Sequence, residues 1–139
     1  MQLPETEARA RLTAARVARL ATVDEAGAPH LVPVTFALHE GRLVTAVDES
    51  EPKRHPRLAR LRHIRADPRV CLLADHYEED DWSRLWWVRV EGRAEILSGP
   101  AREGPVDSLA DKYPPYRAHR PAGPVIAVTP TRWTGWAAS

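Results

Sequence analysis

The chain has 139 residues, 43% of them hydrophobic and 28% charged, and a formal net charge of +1. This length predicts one domain, residues 1–139, able to bury a core without disulfide staples. The single cysteine, Cys71, excludes an intramolecular disulfide framework and fits a reducing compartment, so a cytoplasmic protein is expected. No apolar run approaches ~18 residues, so no membrane span is expected. Glu5, Glu7 and Arg9 stand where a signal peptide would need an apolar core, and none is expected.

Pro4 to Arg16 reads as a helix, with Ala8, Leu12 and Ala15 at helical spacing and Glu5 and Glu7 at its positive end. Val17 to Val23 alternates as a strand, and Asp24-Glu25-Ala26-Gly27 is a hairpin turn. Pro29 to Leu38 forms the second strand. Pro33 lies inside it and argues for an edge position or a bulge. After the connection at His39 to Arg42, Leu43 to Val47 is the third strand. A helix follows over Arg57 to Arg65, with Leu58, Leu61 and Ile64 on its packed side, and Pro68 ends it. Arg69 to His76 is the fourth strand. Leu85 to Leu97 is the fifth: Trp86, Val88, Val90, Ala94 and Ile96 face the core, Trp87, Arg89, Glu91, Arg93 and Glu95 face out, and Gly92 marks a bend. Pro100 to Lys112 is a weaker helical segment, Tyr113 to Pro124 a proline-rich connection, Val125 to Thr129 the last strand and Arg132 to Trp136 a tail. Short hairpins and few helices predict a mainly β chain, an antiparallel barrel with peripheral helices.

Charge is concentrated in one place. From Lys53 to Arg69 there are seven Lys or Arg residues against one acid, Asp67. A positive patch where a strand feeds a helix suits an anionic group. It also suits a solvated arginine-rich face. Nucleic acid is the competing anion, but strand, turn and helix inside a barrel is not a helix-turn-helix, and no nucleic-acid partner is expected.

No catalytic apparatus is recognisable: there is no G-x-S-x-G, no phosphate-binding P-loop and no H-E-x-x-H. The catalytic residues are therefore unknown. None of the six histidines pairs with another ligand at a trustworthy metal spacing, so no metal is expected. Cys71 reads as a small buried apolar residue. Glu78 to Asp81 reads as a solvated loop or a lid over a basic pocket. Trp86 reads as core. Trp87, on the polar face, suits a subunit interface or a cofactor ring as well as simple exposure.

Two stretches resemble a known family. Arg16-Val17-Ala18-Arg19-Leu20-Ala21-Thr22-Val23, Gly27-x-Pro29-His30 and Pro33-Val34, with Lys53, Arg60-Leu61-x-x-Ile64 and Asp67-Pro68-Arg69-Val70, resemble the pyridoxamine 5'-phosphate oxidase-like split barrels. The string Asp81-Trp82-Ser83-Arg84-Leu85-Trp86-Trp87-Val88-Arg89 is similar to the branch assigned to the deazaflavin coenzyme F420. The resemblance implies a six-stranded antiparallel split β-barrel of the FMN-binding type and a homodimer with cofactor sites at the interface. It implies an oxidoreductase passing a hydride between coenzyme F420 and an unidentified small-molecule substrate, with an FMN-dependent enzyme or a non-catalytic flavin-binding module as alternatives. On matching positions Lys53 and Arg60 would grip the cofactor phosphate. Thr45, Ala46 and Val47 would lie along the ring system, and Trp87, from its place on the polar face, is the further candidate for contact with it. Relatives often carry Asn where this chain has His63, so His63 is not expected to contact the cofactor.

Overall fold

In a computed structural model of the chain, residues 1–47 and 55–139 are described. Helix α1 (Glu5–Ala14) precedes a hairpin of β1 (Ala18–Val23) and β2 (Pro29–Val34). In its turn the Asp24 carboxylate accepts from the Ala26 and Ala28 amides, both at 2.9 Å, and Gly27 takes the positive φ of 86°. Strands β3 (Ala37–His39) and β4 (Arg42–Ala46) lead to α2 (His55–Ala66). Then come β5 (Arg69–His76), β6 (Trp86–Leu97), α3 (Glu103–Lys112), α4 (Pro114–Ala118) and β7 (Val125–Ala137).

The sheet has seven strands in the order β2-β1-β5-β6-β7-β4-β3, and every pair is antiparallel. Its two edge strands are consecutive in the chain, joined only by Thr35 and Phe36. Three Cα steps span at most about 11 Å, so the edges must lie close and the sheet curls into an open barrel. Pro33 sits on β2, an edge strand, where a residue without an N–H is tolerated.

Six strands become seven because the expected second strand, residues 29–38, breaks at Thr35–Phe36. Side chains take over the ladder there. The Thr45 hydroxyl donates to the Thr35 carbonyl at 2.7 Å, and the Phe36 amide donates to the Tyr113 hydroxyl at 3.1 Å. That hydroxyl shares its own proton between the carbonyls of Arg16 (2.8 Å) and Phe36 (3.0 Å). Both carbonyls and the Phe36 amide of the break are thus hydrogen-bonded although the chain leaves the sheet.

The last strand is also longer than expected, running to Ala137 instead of Thr129. Pro130, which cannot donate to a ladder, lies within it. It is accommodated by a bulge: Glu91 pairs with Arg132 and Gly92 with Pro130, leaving Thr131 as the extra residue. The Thr131 hydroxyl donates to the Glu91 carbonyl at 3.1 Å. Gly92 is required opposite the bulge, since a Cβ there would lie 2.5 Å from the Thr129 carbonyl oxygen. The proline-rich connection contains α4, with Pro114 and Pro115 in its first turn, where a missing N–H is harmless.

One core fills the barrel. It includes Leu12 of α1, Leu20, Phe36, Leu43, Leu72, Val88, Val90 and Ile126, with Leu61 and Ile64 of α2 packed against it. A second cluster, including Val44, Val106, Leu109 and Val125, lies under α3. The middle of β4 and the first part of β7, Val125 to Val128, are therefore buried on both faces. No described helix is long and apolar enough to cross a membrane.

Candidate functional site

Helix α2 brings charge to the barrel wall. Leu61 and Ile64 anchor it in the core. Arg62 and Arg65 point into solvent. Arg60 instead lines a cavity of about 120 Å³ between the helix and edge strand β2, shared with Thr22, His30, Leu31, Val32, Ala59 and His63. Lys53 lies outside the described residues, as does the Arg57 side chain.

Two histidines meet at this cavity, a pairing the sequence did not disclose. The rings of His30 and His63 are 4.4 Å apart, tilted by 36°. His63 is buried, at 6% exposure, and its Nδ1 lies 3.0 Å from the Thr22 hydroxyl. Burial, then the charge of His30, lowers its pKa from the usual 6.5. Outside the cavity, Asp24 Oδ2 lies 2.9 Å from His30 Nε2. That bond, with the turn amides, holds the Asp24 carboxyl at about 2. Thirty-three residues separate the two imidazoles, so only the fold reveals the pair. Among the described residues no group of three or more His, Cys, Asp or Glu could hold a metal.

The stretch Thr45-Ala46-Val47 is committed largely to the interior. Thr45 and Val47 are buried, the Thr45 hydroxyl is bound to Thr35, and the Val47 amide donates to the Pro124 carbonyl at 3.0 Å. Ala46 is half-buried against the second cluster.

Trp87 sits elsewhere. It lies half-buried on the outer face of the sheet, in register with Asp75 on β5 and Trp136 on β7. The Arg89 guanidinium lies 5.4 Å from its ring centroid. Together with Leu73, His76, Tyr77, Leu85, Trp86 and Trp136 these residues line a groove of about 460 Å³. It shares no lining residue with the Arg60 cavity. Within one protomer the structure therefore does not bring Trp87 to Arg60. Trp86 is half-buried against the core, with His76 stacked on it at 6.4 Å.

The acidic loop is tied down locally. Glu78 accepts from Arg84 and pairs with His76, each at 2.9 Å, and Asp81 caps the 3₁₀ turn Trp82–Arg84 through the Ser83 amide at 3.0 Å. The His76 bond, followed by Arg84, lowers the Glu78 pKa. The same outer face carries a further opening, about 870 Å³, between the β1–β2 turn and the β6–β7 bulge. Cys71 lines it half-buried, not buried as expected, because its side of β5 faces outward. Burial raises its thiol pKa, which leaves it a poor nucleophile.

A phosphate-bearing ring cofactor fits these parts in kind. An arginine and two imidazoles reach a small cavity whose other walls, Leu31, Val32 and Ala59, are apolar, while tryptophan faces and wider openings lie on the outer sheet.

No curated protein matches the chain. A conserved hypothetical protein from Mycobacterium tuberculosis is similar in structure at 23% identity, with a TM-score of 0.77 over 98% of this chain and 86% of that one. An FAD-binding protein from Mesorhizobium loti is similar at 22% identity, with a TM-score of 0.71 over 97% and 95%. An FAD-binding protein from Mycobacterium smegmatis is similar at 20% identity, with a TM-score of 0.66 over 98% and 97%. At these identities the likeness is one of fold. The pyridoxamine 5'-phosphate oxidase family model matches residues 4–137. With the curled antiparallel sheet, a match over nearly the whole chain places this protein in the pyridoxamine 5'-phosphate oxidase family.

Proposed function

We propose that this protein is a cytoplasmic oxidoreductase that uses coenzyme F420 as hydride carrier for a small-molecule substrate, working as a homodimer with cofactor sites at the subunit interface. One observation carries the choice of cofactor: the string Asp81 to Arg89 resembles that of the deazaflavin branch, and its Trp87 lies on the outer face of the sheet. When bound, the cofactor supplies the hydride chemistry, and the chain binds, orients and shields it. Arg60, with Lys53, holds the phosphate. The outer face of β5, β6 and β7, with Trp87 and Trp136, forms part of the subunit contact and offers aromatic faces to a ring. Pairing two protomers supplies what one lacks, a tryptophan groove beside an Arg60 cavity. A mass of about twice 15.6 kDa by light scattering supports the dimer, and a monomer at micromolar concentration removes the interfacial site.

The FMN-dependent reading has its own support in the FAD-binding neighbours from Mesorhizobium loti and Mycobacterium smegmatis. Fluorescence titration at low salt separates the two, since tighter binding of F420 than of FMN is expected. Turnover with reduced F420 separates an enzyme from a binding module.

A further inference from the structure

We infer that the cavity between α2 and edge strand β2 is an oxyanion subsite in which His30 and His63 act with Arg60, so that binding there is coupled to protonation of the imidazole pair. The assignment rests on the reading of Arg60 as the anion-gripping residue. Four observations lead to it. Arg60, His30 and His63 line one cavity of about 120 Å³, room enough for a tetrahedral oxyanion. The three come from two elements, so the cavity is formed where α2 packs on the hairpin and not by a single loop. The imidazoles stand ring to ring at 4.4 Å. The Asp24 carboxylate, which pairs with His30, is not among the cavity's lining residues.

The electrostatics follow from that arrangement. His63 is influenced by His30, Asp24 and Glu25 from the β1–β2 hairpin and by Arg62 on its own helix, and Arg60 shares its cavity. With the cavity empty of anion, a proton on His63 must be buried beside another imidazole and an arginine. That burial lowers its affinity for the proton. A dianion in the cavity reverses the balance, because it is attracted to each cation around it and offers an acceptor to each N–H. Linkage then requires the converse: protonating the pair tightens the anion. A free imidazole changes charge near about pH 6.5 and burial holds His63 below that value, so the coupling strengthens as pH falls on the acid side of neutrality. Arg60 alone, charged at every accessible pH, would give no such dependence.

Sulfate is the probe, because its charge is constant across the window. Its binding is followed through imidazole resonances of the full-length chain at about pH 5.5 and about pH 8. The expected result is binding at least about fivefold tighter at the lower pH, with the His30 and His63 signals shifting together. His30→Gln, at a half-exposed surface position, is expected to keep the fold and flatten the pH dependence. His63→Asn, which retains a partner for Thr22, is expected to flatten it further, and Arg60→Gln to abolish binding at both pH values. Arg62→Gln, outside the cavity, is the control and changes little. Melting by circular dichroism checks each fold. Equal sulfate affinity at the two pH values overturns the inference, and so does pH dependence that survives both histidine substitutions. Competition arms identify the source of the oxyanion. Displacement of sulfate by F420 or FMN assigns it to the cofactor phosphate. Binding of either cofactor without displacement, while sulfate stays pH-dependent, leaves the subsite standing for a free oxyanion and counts against the proposed placement of the cofactor.

Discussion

The Arg60 cavity and the Trp87 groove solve opposite problems. The first is small, about 120 Å³, and brings an arginine and two histidines together at a wall of the barrel. The second is nearly four times larger, about 460 Å³, and lined mainly by aromatic and apolar side chains on the outer face. Its charges, Asp75 and Arg89, are held by neighbours: Asp75 pairs with Arg19 at 3.5 Å, and Arg89 lies over Trp87. Charge recognition needs few groups placed by rigid packing, whereas ring recognition needs area. The fold accordingly builds one site from a helix wedged on a hairpin and the other from three adjacent strands.

Arg60→Ala should break this contrast most. A charge-assisted hydrogen bond is worth about 1.5–3 kcal/mol net, so cofactor binding should weaken by roughly tenfold to a hundredfold, more at low salt than at high. Lys53→Ala should act alike, and titration at two salt concentrations checks both. If both variants bind like the parent, the anion site is misplaced.

Gly92→Ala tests the scaffold that both outer openings share. The new methyl meets the Thr129 carbonyl oxygen and a Val128 methyl carbon at 2.5 and 2.7 Å. The bulge must shift, and overpacking of this kind costs about 1–3 kcal/mol. Urea unfolding should show that loss, while a midpoint equal to the parent's would mean the bulge yields freely.

Trp87→Ala should have a smaller effect that salt does not change. Aromatic contacts contribute about 0.5–1.5 kcal/mol beyond their buried area, or roughly two- to tenfold in affinity. A salt-dependent loss of the Arg60 size would put Trp87 in the charge site and erase the distinction drawn above.

A separate effect concerns a partly buried cation that belongs to neither site. Lys112 Nζ lies 3.9 Å from the Phe36 ring centroid and donates to the Thr13 carbonyl at 3.0 Å. Burial, with Arg16 adding to it, lowers its pKa from the usual 10.5 to about 8. Between those values the unfolded chain holds a proton that the folded chain has released, so stability should rise with pH across the window and lose that slope in Lys112→Met. Thermal melts between pH 8 and 10.5 check the sign.

Much of the scaffold was legible locally. Strand β5 runs from Arg69 to His76 as its alternation predicts, the Asp24 to Gly27 turn forms, and Pro33 marks an edge. What was not legible depends on partners far along the chain. The break at Phe36 needs a hydroxyl from Tyr113, 77 residues away. Continuation of β7 past Pro130 needs a bulge that only β6 completes. At the site, Arg60 could be chosen from its place on a basic helix and its family match. His63 was set aside, and its contact with His30 across two elements has no signature in spacing. Cys71 showed only an apolar neighbourhood, and nothing local told which side of β5 would be covered.

The two-residue link between β2 and β3 makes the molecule measure its own length. Side chains alternate along a strand with period two. One residue inserted between Val34 and Ala37 would therefore turn β3 over, trading buried Ala37 for exposed Leu38. The Thr45 and Tyr113 hydroxyls would then face the wrong carbonyl and amide. A spacer of the wrong parity, though far from both openings, would thus unseat the barrel's seam.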